Sequence, residues 1–293
     1  MGISKTPSVV TLPDVAQPYP SILDFLVKSF PHISRSLWTA RVLAGKVLDD
    51  NGIPISTETT YTPSRRIFYF REVESEPVIP FSETILFQDN ELLVACKPHF
   101  LPVIPGGRFV NECLLNRLRA RTGIADLTPL HRIDRETAGI VIFSVNKKTR
   151  GHYHELFMHG EVEKTYLALA TLSQPPQADQ WAVENRIVRG EPRFRMQIVP
   201  GIVNARSGIH LLAVRANQAR FRLHPVTGKT HQLRLHMSSL GFNIINDRVY
   251  PDLMPEQDDE FDRPLQLLAK TLRFRDPVNG QNREFSSARE LAW

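Results

Sequence analysis

The chain has 293 residues, of which 42% are hydrophobic and 23% are charged, so it suits one large domain or two unequal ones and excludes wholesale disorder and fibrous classes. No run of about 18 apolar residues occurs and the start lacks a secretory apolar core, so we expect neither a membrane span nor export. Two cysteines, Cys96 and Cys113, are too few for a zinc set or a disulfide framework and favour a reducing, cytoplasmic setting.

The net charge of +5 is unevenly distributed. Arginines crowd residues 117–150 and 186–222, whereas acidic residues concentrate in 252–262. Such segregation is typical of a surface that binds a phosphate backbone. Solvated faces explain the same pattern, so charge alone leaves a nucleic-acid partner open.

The first 75 residues predict a tail followed by a small domain. Residues 1–20 are polar and contain prolines, which favours a loose tail. Over residues 21–75, helical spacing of apolar residues predicts a first helix, and Ser34 is a plausible N-cap for a second. "KVLDDNGIPI" and "RRIFYFREV" then predict strands, and residues 76–84, with two prolines, predict a linker.

Residues 85–293 predict a larger domain. "TILFQDNELLVACKP" is typical of a hairpin, "VNECLLNRLRART" of an amphipathic helix, and "KKTRGHYHELFMHG" of a helix that ends at Gly160. Five strand-like segments, a short helix in "HQLRLHMSSLG" and a closing strand in "LQLLAKTLRFRDP" follow. Many strands with few helices predict an α+β fold with a mainly antiparallel sheet.

The stretch "TGKT" at residues 227–230 suggests a phosphate-binding loop, but the pattern fails. A phosphate loop needs glycine five residues before the Gly-Lys pair, where this chain has Leu223. The following helix is more informative, because Leu233, Met237 and Leu240 share one face while Arg234 points off it. We expect Thr230 to cap this helix and Gly241 to end it. Taken alone, Arg234 is better explained as an ordinary surface arginine.

The stretch "LHRIDRETAGIVIF" places a polar cluster before an apolar strand. Asp134 lies between Arg132 and Arg135, and neighbouring positive charge favours the ionised carboxylate. Such an aspartate suits a nucleophile or a base that must stay charged. A structural ion-pair turn is an equally good interpretation of this stretch alone.

Four motifs in order resemble those of the RluA-type pseudouridine synthases. "HRIDRETAG" resembles the family's H-R-L-D-x-x-T-S-G signature, and "EKTYLALA" resembles its K-x-Y-x-A motif. "PVTGKTHQLRLHMSSLGFNIINDRVY" resembles its T-G-R-T-H-Q-I-R-V-H segment with the following G-D-x-x-Y. "ILFQDNELLVACKP" resembles the family's opening hairpin, which ends at a Lys-Pro pair. The resemblance covers about residues 83–280.

This resemblance implies a pseudouridine synthase fold and an enzyme that isomerises uridine in ribosomal or transfer RNA after base flipping, without cofactor or metal. It implies that Asp134 is the catalytic carboxylate, that Arg234 pairs with it, and that Tyr166 stacks on the target base and assists proton transfer. The implied substrate-binding residues are Arg132, which fills the space left by the extruded base, with Arg135, Thr137, Lys229, Thr230, Gln232 and Lys97.

The N-terminal unit is similar to the alpha-L RNA-binding module of ribosomal proteins, over "SRSLWTARVLAGKVLDDNG". The similarity implies RNA-facing charges at Arg35, Arg41 and Lys46. A packing module that has lost RNA affinity remains an alternative.

The resemblance predicts an isomerase that acts on RNA, and we expect a cytoplasmic monomer that does not associate with membranes. The main alternative is a non-catalytic RNA-binding protein that retains the fold. A nucleotide hydrolase is a third class, supported only by "GKT".

Overall fold

A computed structural model describes residues 2–4 and 7–293 and divides them into two compact units. The first unit comprises the described residues up to Pro77 together with Pro105–Asn111, and the second comprises Val78–Ile104 and Glu112–Trp293. The boundary after Pro77 lies within the predicted linker. The assignment of Pro105–Asn111 to the first unit has no counterpart in the sequence analysis.

Five α-helices occur in the described residues: α1 (Ile22–Ser29), α2 (Arg35–Leu43), α3 (Leu114–Thr122), α4 (Arg150–His159) and α5 (Gln232–Ser239). The strands are β1 (Gly2–Ile3), β2 (Ser8–Thr11), β3 (Val47–Leu48), β4 (Arg66–Tyr69), β5 (Glu72–Val73), β6 (Thr84–Gln88), β7 (Leu92–Lys97), β8 (Thr128–Pro129), β9 (Ala138–Ser144), β10 (Glu163–Thr171), β11 (Gln180–Arg189), β12 (Met196–Val199), β13 (Ala205–Arg215), β14 (Gln218–Pro225), β15 (Asn243–Ile244), β16 (Leu267–Arg275) and β17 (Asn282–Ser286).

The first unit packs α1 and α2 around a core that includes Leu26, Trp38 and Ile67, beside a three-stranded sheet of order β2-β4-β3. The predicted cap of α2 is confirmed, because the hydroxyl of Ser34 accepts the N–H of Leu37 at 3.2 Å. The expectation of a loose segment over residues 1–20 is wrong for β2, which pairs with β4. Its β-branched residues alternate between half-buried and exposed positions, which favours a strand. Residues 1, 5 and 6 of that segment lie outside the described residues.

The second unit is built on a 12-stranded sheet whose main path runs β12-β11-β13-β14-β10-β16-β9-β7-β6. Among these strands only β9 and β16 pair in parallel, so the predicted mainly antiparallel sheet is confirmed. The predicted end of α4 is also confirmed, since Gly160 caps it with φ 73°. The predicted closing strand is followed by β17, which pairs with β16.

Helix α5 lies against the sheet through the predicted apolar face. Leu233 and Met237 are buried in one cluster with residues of β10, β13 and β14. Leu240 is half-buried against the same cluster. This packing fixes α5 beside β14 and therefore fixes where its polar side chains project.

Candidate active site

The loop between β8 and β9 presents Asp134, and it is tethered on both sides. The carbonyl of Asp134 accepts the N–H of Thr137 at 3.2 Å, which closes a turn. Upstream, burial lowers the pKa of His131 to about 3, with the charge of Lys164 adding. The neutral His131 ring accepts the N–H of Ile142 through Nε2 at 3.1 Å. The side chain of Asp134 keeps 24% of its surface exposed, so it stays accessible to a ligand.

Gly139 is the glycine that ends the "HRIDRETAG" motif, and its position in the sheet explains why glycine is needed there. It lies in β9, opposite Ala269 of β16, with φ +117°. A Cβ atom at this position would lie 2.2 Å from the carbonyl oxygen of Ala269. The close parallel approach of β9 and β16, directly after the Asp134 loop, therefore requires glycine.

Arg234 of α5 is the cation beside Asp134. Its Nη1 lies 3.5 Å from Asp134 Oδ2 and 4.0 Å from Glu136 Oε2. Its Nε and Nη2 donate to both oxygens of Asp247, at 2.7 and 2.6 Å. The side chains of Arg234 and Asp247 are only 2% and 1% exposed. Paired in this bidentate manner, Arg234 presents its remaining nitrogen to Asp134 in a fixed direction.

The environment of Arg234 keeps it charged. Burial opposes the charged guanidinium, but the hydrogen bonds and the charge of Asp247, with the charges of Asp134 and Glu136, raise the pKa of Arg234 above its already high usual value. Asp134 therefore faces a permanent positive charge.

Asp247 anchors this arrangement, although no role was predicted for it. Its Oδ1 also accepts the backbone N–H groups of Val249 and Tyr250, at 2.9 and 3.1 Å. The ring centroid of Tyr250 lies 5.5 Å from the guanidinium carbon of Arg234. The signal that could have identified Asp247 is its place in "INDRVY", where the resembling family motif has aspartate.

Tyr166 lies in β10, at a bulge where the register with β16 shifts, and pairs with Leu223 of β14. Burial, with the charge of Asp134 adding, raises the pKa of Tyr166. Its phenol therefore stays protonated at neutral pH. The structure thus places both Arg234 and Tyr166 within electrostatic range of Asp134.

The "TGKT" segment is the turn between β14 and α5, and Gln232 holds it. The side-chain oxygen of Gln232 accepts from the Thr227 hydroxyl and the Lys229 N–H, at 2.7 and 3.0 Å. Its amide nitrogen donates to the Arg206 carbonyl and the Ser207 hydroxyl, each at 2.9 Å. These bonds occupy the buried amide of Gln232, which therefore stabilises the turn. The predicted contact of Gln232 with substrate is not supported by this geometry.

The predicted cap of α5 is wrong. The N-cap position is His231, with φ 54° and no side-chain hydrogen bond to the helix, and Thr230 is exposed. The preceding turn is held instead by the side chain of Gln232, from inside α5. Lys229 is also exposed, so its side chain remains available to a ligand.

Lys97 is a second correction among the predicted substrate-binding residues. It ends β7, is fully buried, and donates from Nζ to the carbonyls of Pro98, Leu101 and Arg135, at 2.9, 2.7 and 2.9 Å. Burial lowers the pKa of Lys97 to about 7, against the charges of Glu136 and Asp134. Lys97 therefore stabilises the Asp134 loop from the protein interior, through its bond to the Arg135 carbonyl.

Of the other residues predicted to bind substrate, some are bonded or buried within the protein and one is accessible to a ligand. Arg135 donates to both carboxylate oxygens of Asp259, at 2.9 and 2.8 Å, and to Glu136, so its guanidinium is engaged within the protein. Thr137 is 2% exposed. Arg132 is exposed beside the Asp134 loop, where it remains available to a ligand.

The three predicted charges of the first unit are placed differently from one another. Arg41 is 6% exposed, lies over Trp38 and donates to Glu72, so the structure contradicts its prediction as an RNA-facing residue. Lys46 also pairs with Glu72 and is partly exposed. Arg35 is exposed and pairs with Asp24 at 2.8 Å.

Within residues 2–4 and 7–293, no three histidine, cysteine or acidic side chains are grouped so that they could hold a metal ion. In the same residues, every helix is too short or too polar to cross a bilayer.

Comparisons with known proteins identify the family. A family model described as RNA pseudouridylate synthase matches residues 91–239, a range that includes Asp134, Tyr166 and Arg234. A dual-specificity RNA pseudouridine synthase RluA from Haemophilus influenzae is 31% identical over 221 residues, which cover 72% of this chain and 94% of the relative. RNA pseudouridine synthase 7 of Oryza sativa subsp. japonica is 26% identical over 237 residues, which cover 78% of this chain but 60% of the relative.

The fold has counterparts among solved structures. The structure of Human RNA Pseudouridylate Synthase Domain Containing 4 matches with a TM-score of 0.54 and 26% identity, over 71% of this chain and 88% of that one.

Proposed function

The chain belongs to the RNA pseudouridylate synthase family, whose enzymes isomerise uridine in RNA to pseudouridine, and we propose that Asp134 is the residue on which this reaction depends here. The observation that carries the proposal is the chain of contacts from Asp134 to Arg234 to Asp247, which keeps a partly exposed carboxylate beside a buried, permanent cation.

The reaction breaks the bond from N1 of uracil to C1′ and forms a bond from C5 to C1′, while the proton on C5 is released to solvent and N1 gains one. The base must leave its stack for this exchange, because C1′ and C5 are not accessible together in a paired duplex. The 24% exposed side chain of Asp134 is available to such an extruded nucleotide.

Asp134 acts as an anion. It either attacks the nucleotide or accepts a proton from the ribose, and both steps require an ionised carboxylate. Arg234 places a permanent positive charge beside the carboxylate and fixes its direction, because its own orientation is fixed by Asp247. Precise positioning of a reacting group is itself a large catalytic effect.

Tyr166 acts as a stacking surface for the extruded base. Its raised pKa argues against a role as proton acceptor at neutral pH, since the phenol is already protonated. Stacking of unstacked bases on aromatic side chains is a common mode of RNA recognition. Exposed Arg132 and Lys229 then contribute charge for the RNA backbone.

The proposed substrate is a structured ribosomal or transfer RNA. Mapping pseudouridines in RNA from wild-type and gene-deletion cells tests this. We expect specific sites to disappear on deletion, to return with the wild-type gene, and to stay absent with Asp134→Ala. Restoration by Asp134→Ala would contradict the role of Asp134. Unchanged sites in the deletion strain would contradict the proposed function.

We further propose that the first unit binds RNA, which the exposed side chain of Arg35 and the partly exposed Lys46 support. A monomer in the reducing cytoplasm is the proposed setting, consistent with buried thiols at Cys96 and Cys113. Sedimentation of the purified protein tests the monomer.

A further inference from the structure

A cavity of about 330 Å³ lies in the second unit, between α5 and the hairpin formed by β11 and β12. Its walls include Gly190, Arg195 and Met196 from the hairpin, Leu235 and Ser238 from α5, and Tyr250. Neither Asp134 nor Arg234 lines it. The volume is within the range of small-molecule sites, and the cavity is separate from the reaction centre.

The hairpin beside the cavity has exposed arginines that are suited to contact with RNA phosphates. Arg186, Arg189 and Arg193 are exposed, and none forms an ion pair with an acidic side chain in the described part of the chain. By contrast, Arg273 and Arg283 elsewhere in this unit are ion-paired. Exposed arginines without acidic partners are available to phosphate groups.

An aromatic residue is interleaved with these charges. Phe194 is 58% exposed, between Arg193 and Arg195. Basic side chains that alternate with an exposed aromatic ring are typical of surfaces that bind single-stranded nucleic acid.

Tyr250 is a wall of the cavity and also a neighbour of Arg234, the arginine that orients Asp134. Its hydroxyl accepts the N–H of Met196 at 2.8 Å and lies 2.9 Å from Nδ1 of His231. The guanidinium carbons of Arg195 and Arg234 each lie 5.5 Å from its ring centroid. A ligand in the cavity would therefore lie one aromatic ring away from the residue that orients Asp134.

We propose that this cavity binds one unstacked nucleotide that flanks the target uridine in the RNA. The base enters the cavity, where the guanidinium plane of Arg195, itself packed over the buried ring of Tyr250, offers a stacking surface and Gln197 and Ser238 offer polar edges. The phosphates of the same strand contact the exposed arginines of the hairpin. This inference rests on the proposed function, because it takes RNA as the substrate.

Methyl NMR tests the cavity without requiring catalysis or a known RNA. The full-length protein, labelled with ¹³C in its methionine methyl groups, is titrated with AMP, CMP, GMP and UMP, and with ribose 5-phosphate as a control. We expect at least one nucleotide to shift the Met196 signal saturably, while Met158, which is 72% exposed outside the cavity, stays unchanged. No Met196 shift, or an equal shift with ribose 5-phosphate, would overturn the proposal.

Variants in which a larger side chain fills the cavity provide a second test. Ser238→Phe from α5 and, independently, Gln197→Trp from β12 should abolish the Met196 shift and lower kcat/KM for RNA by about tenfold, since stacking of one base contributes on that order. Ser173→Phe, at an exposed position that does not line the cavity, is the control. Whichever filling variant retains the wild-type circular dichroism spectrum is used, and an undiminished Met196 shift in it would contradict the site.

The two proposals fail differently. Asp134→Ala should keep the nucleotide-induced Met196 shift, because Asp134 does not line the cavity. An active enzyme without the Met196 shift would contradict only the cavity. A shift in a wild-type protein that forms no pseudouridine would contradict the proposed function instead.

Discussion

Arg234 bonds with one edge of its guanidinium to Asp247 and leaves the remaining nitrogen for Asp134. This division of one side chain between a buried anchor and an accessible carboxylate is what gives Asp134 a fixed direction. The anchor is itself held by the backbone N–H groups of Val249 and Tyr250.

Asp247→Asn should therefore impair both stability and turnover. The substitution leaves a buried guanidinium without its main counter-charge, which costs about 3–5 kcal/mol when a buried pair is broken. Urea denaturation measures this loss, and kcat should fall at least tenfold because Arg234 loses its orientation. The control is Glu260→Gln, whose pair with Arg263 is exposed and should contribute less than about 1 kcal/mol.

Lys97 predicts a pH dependence of stability. Its pKa is about 7 in the folded protein and 10.5 for the unperturbed side chain, so between these values the unfolded chain binds more protons. The free energy of unfolding should then rise with pH through this window, by up to about 1.4 kcal/mol per pH unit.

Lys97→Met removes this contribution. Urea denaturation of both proteins at pH 7, 8 and 9 should show that the stability difference in favour of the wild type widens with pH. Lys148→Met, at an exposed position, should show no such trend. A constant difference between wild type and Lys97→Met would contradict the lowered pKa.

At this scale the sequence identified Asp134, Tyr166 and Arg234 because each lies in a recognisable motif. It could not identify the structural roles of Asp247, Gln232 or Lys97, which hold Arg234, the turn before α5 and the Asp134 loop in place. Their partners lie far along the chain or are backbone groups, as in the bond from Gln232 to Ser207, and such contacts depend on the completed fold.

Among the elements, β9 and α5 position the site between them. The parallel pairing of β9 with β16 fixes the exit of the Asp134 loop, and the packing of α5 on the sheet fixes Arg234. The apolar spacing predicted α5 and its buried face correctly. The start of α5 was mispredicted: the N-cap position is His231, with φ 54°, and Thr230 is exposed in the preceding turn. The side chain of Gln232 holds this turn through Thr227 and Lys229 and joins it to β13.

Gly139→Ala should destabilise the protein by more than about 3 kcal/mol, beyond ordinary overpacking, because its Cβ would meet the Ala269 carbonyl at 2.2 Å. Gly123→Ala is the matched control. Gly123 also has positive φ, +73°, but nothing lies within 4 Å of its Cβ position, so only backbone strain of about 1–2 kcal/mol is expected. Equal losses on thermal or urea denaturation would show that strain alone, without the close strand approach, accounts for Gly139.

At the scale of the whole molecule, the chain combines two compact units. The proline-containing stretch before the strand-rich pattern predicted a linker over residues 76–84, and the boundary after Pro77 lies within it. The inclusion of Pro105–Asn111 in the first unit could not be predicted, because short loops carry no periodic signal that assigns them to a core.

The proposed binding of RNA by the first unit predicts a change in salt dependence. Replacing Arg35 and Lys46 with glutamine together should reduce the slope of log Kd against log salt by about 0.7 for each phosphate group that the double variant no longer binds. Filter binding of a substrate RNA between 50 and 200 mM salt measures this slope. Arg273→Gln, which removes an ion-paired charge in the second unit, should leave it unchanged.

The most direct test of the account is tritium release from RNA labelled at C5 of uridine, measured with Asp134→Ala. Asp126→Ala, at an exposed position, is the control and should retain full release. The account predicts that Asp134→Ala releases no tritium above background while its RNA affinity stays within about threefold of wild type, a difference of less than 1 kcal/mol. Undiminished release from Asp134→Ala would contradict the central claim that this carboxylate carries the reaction.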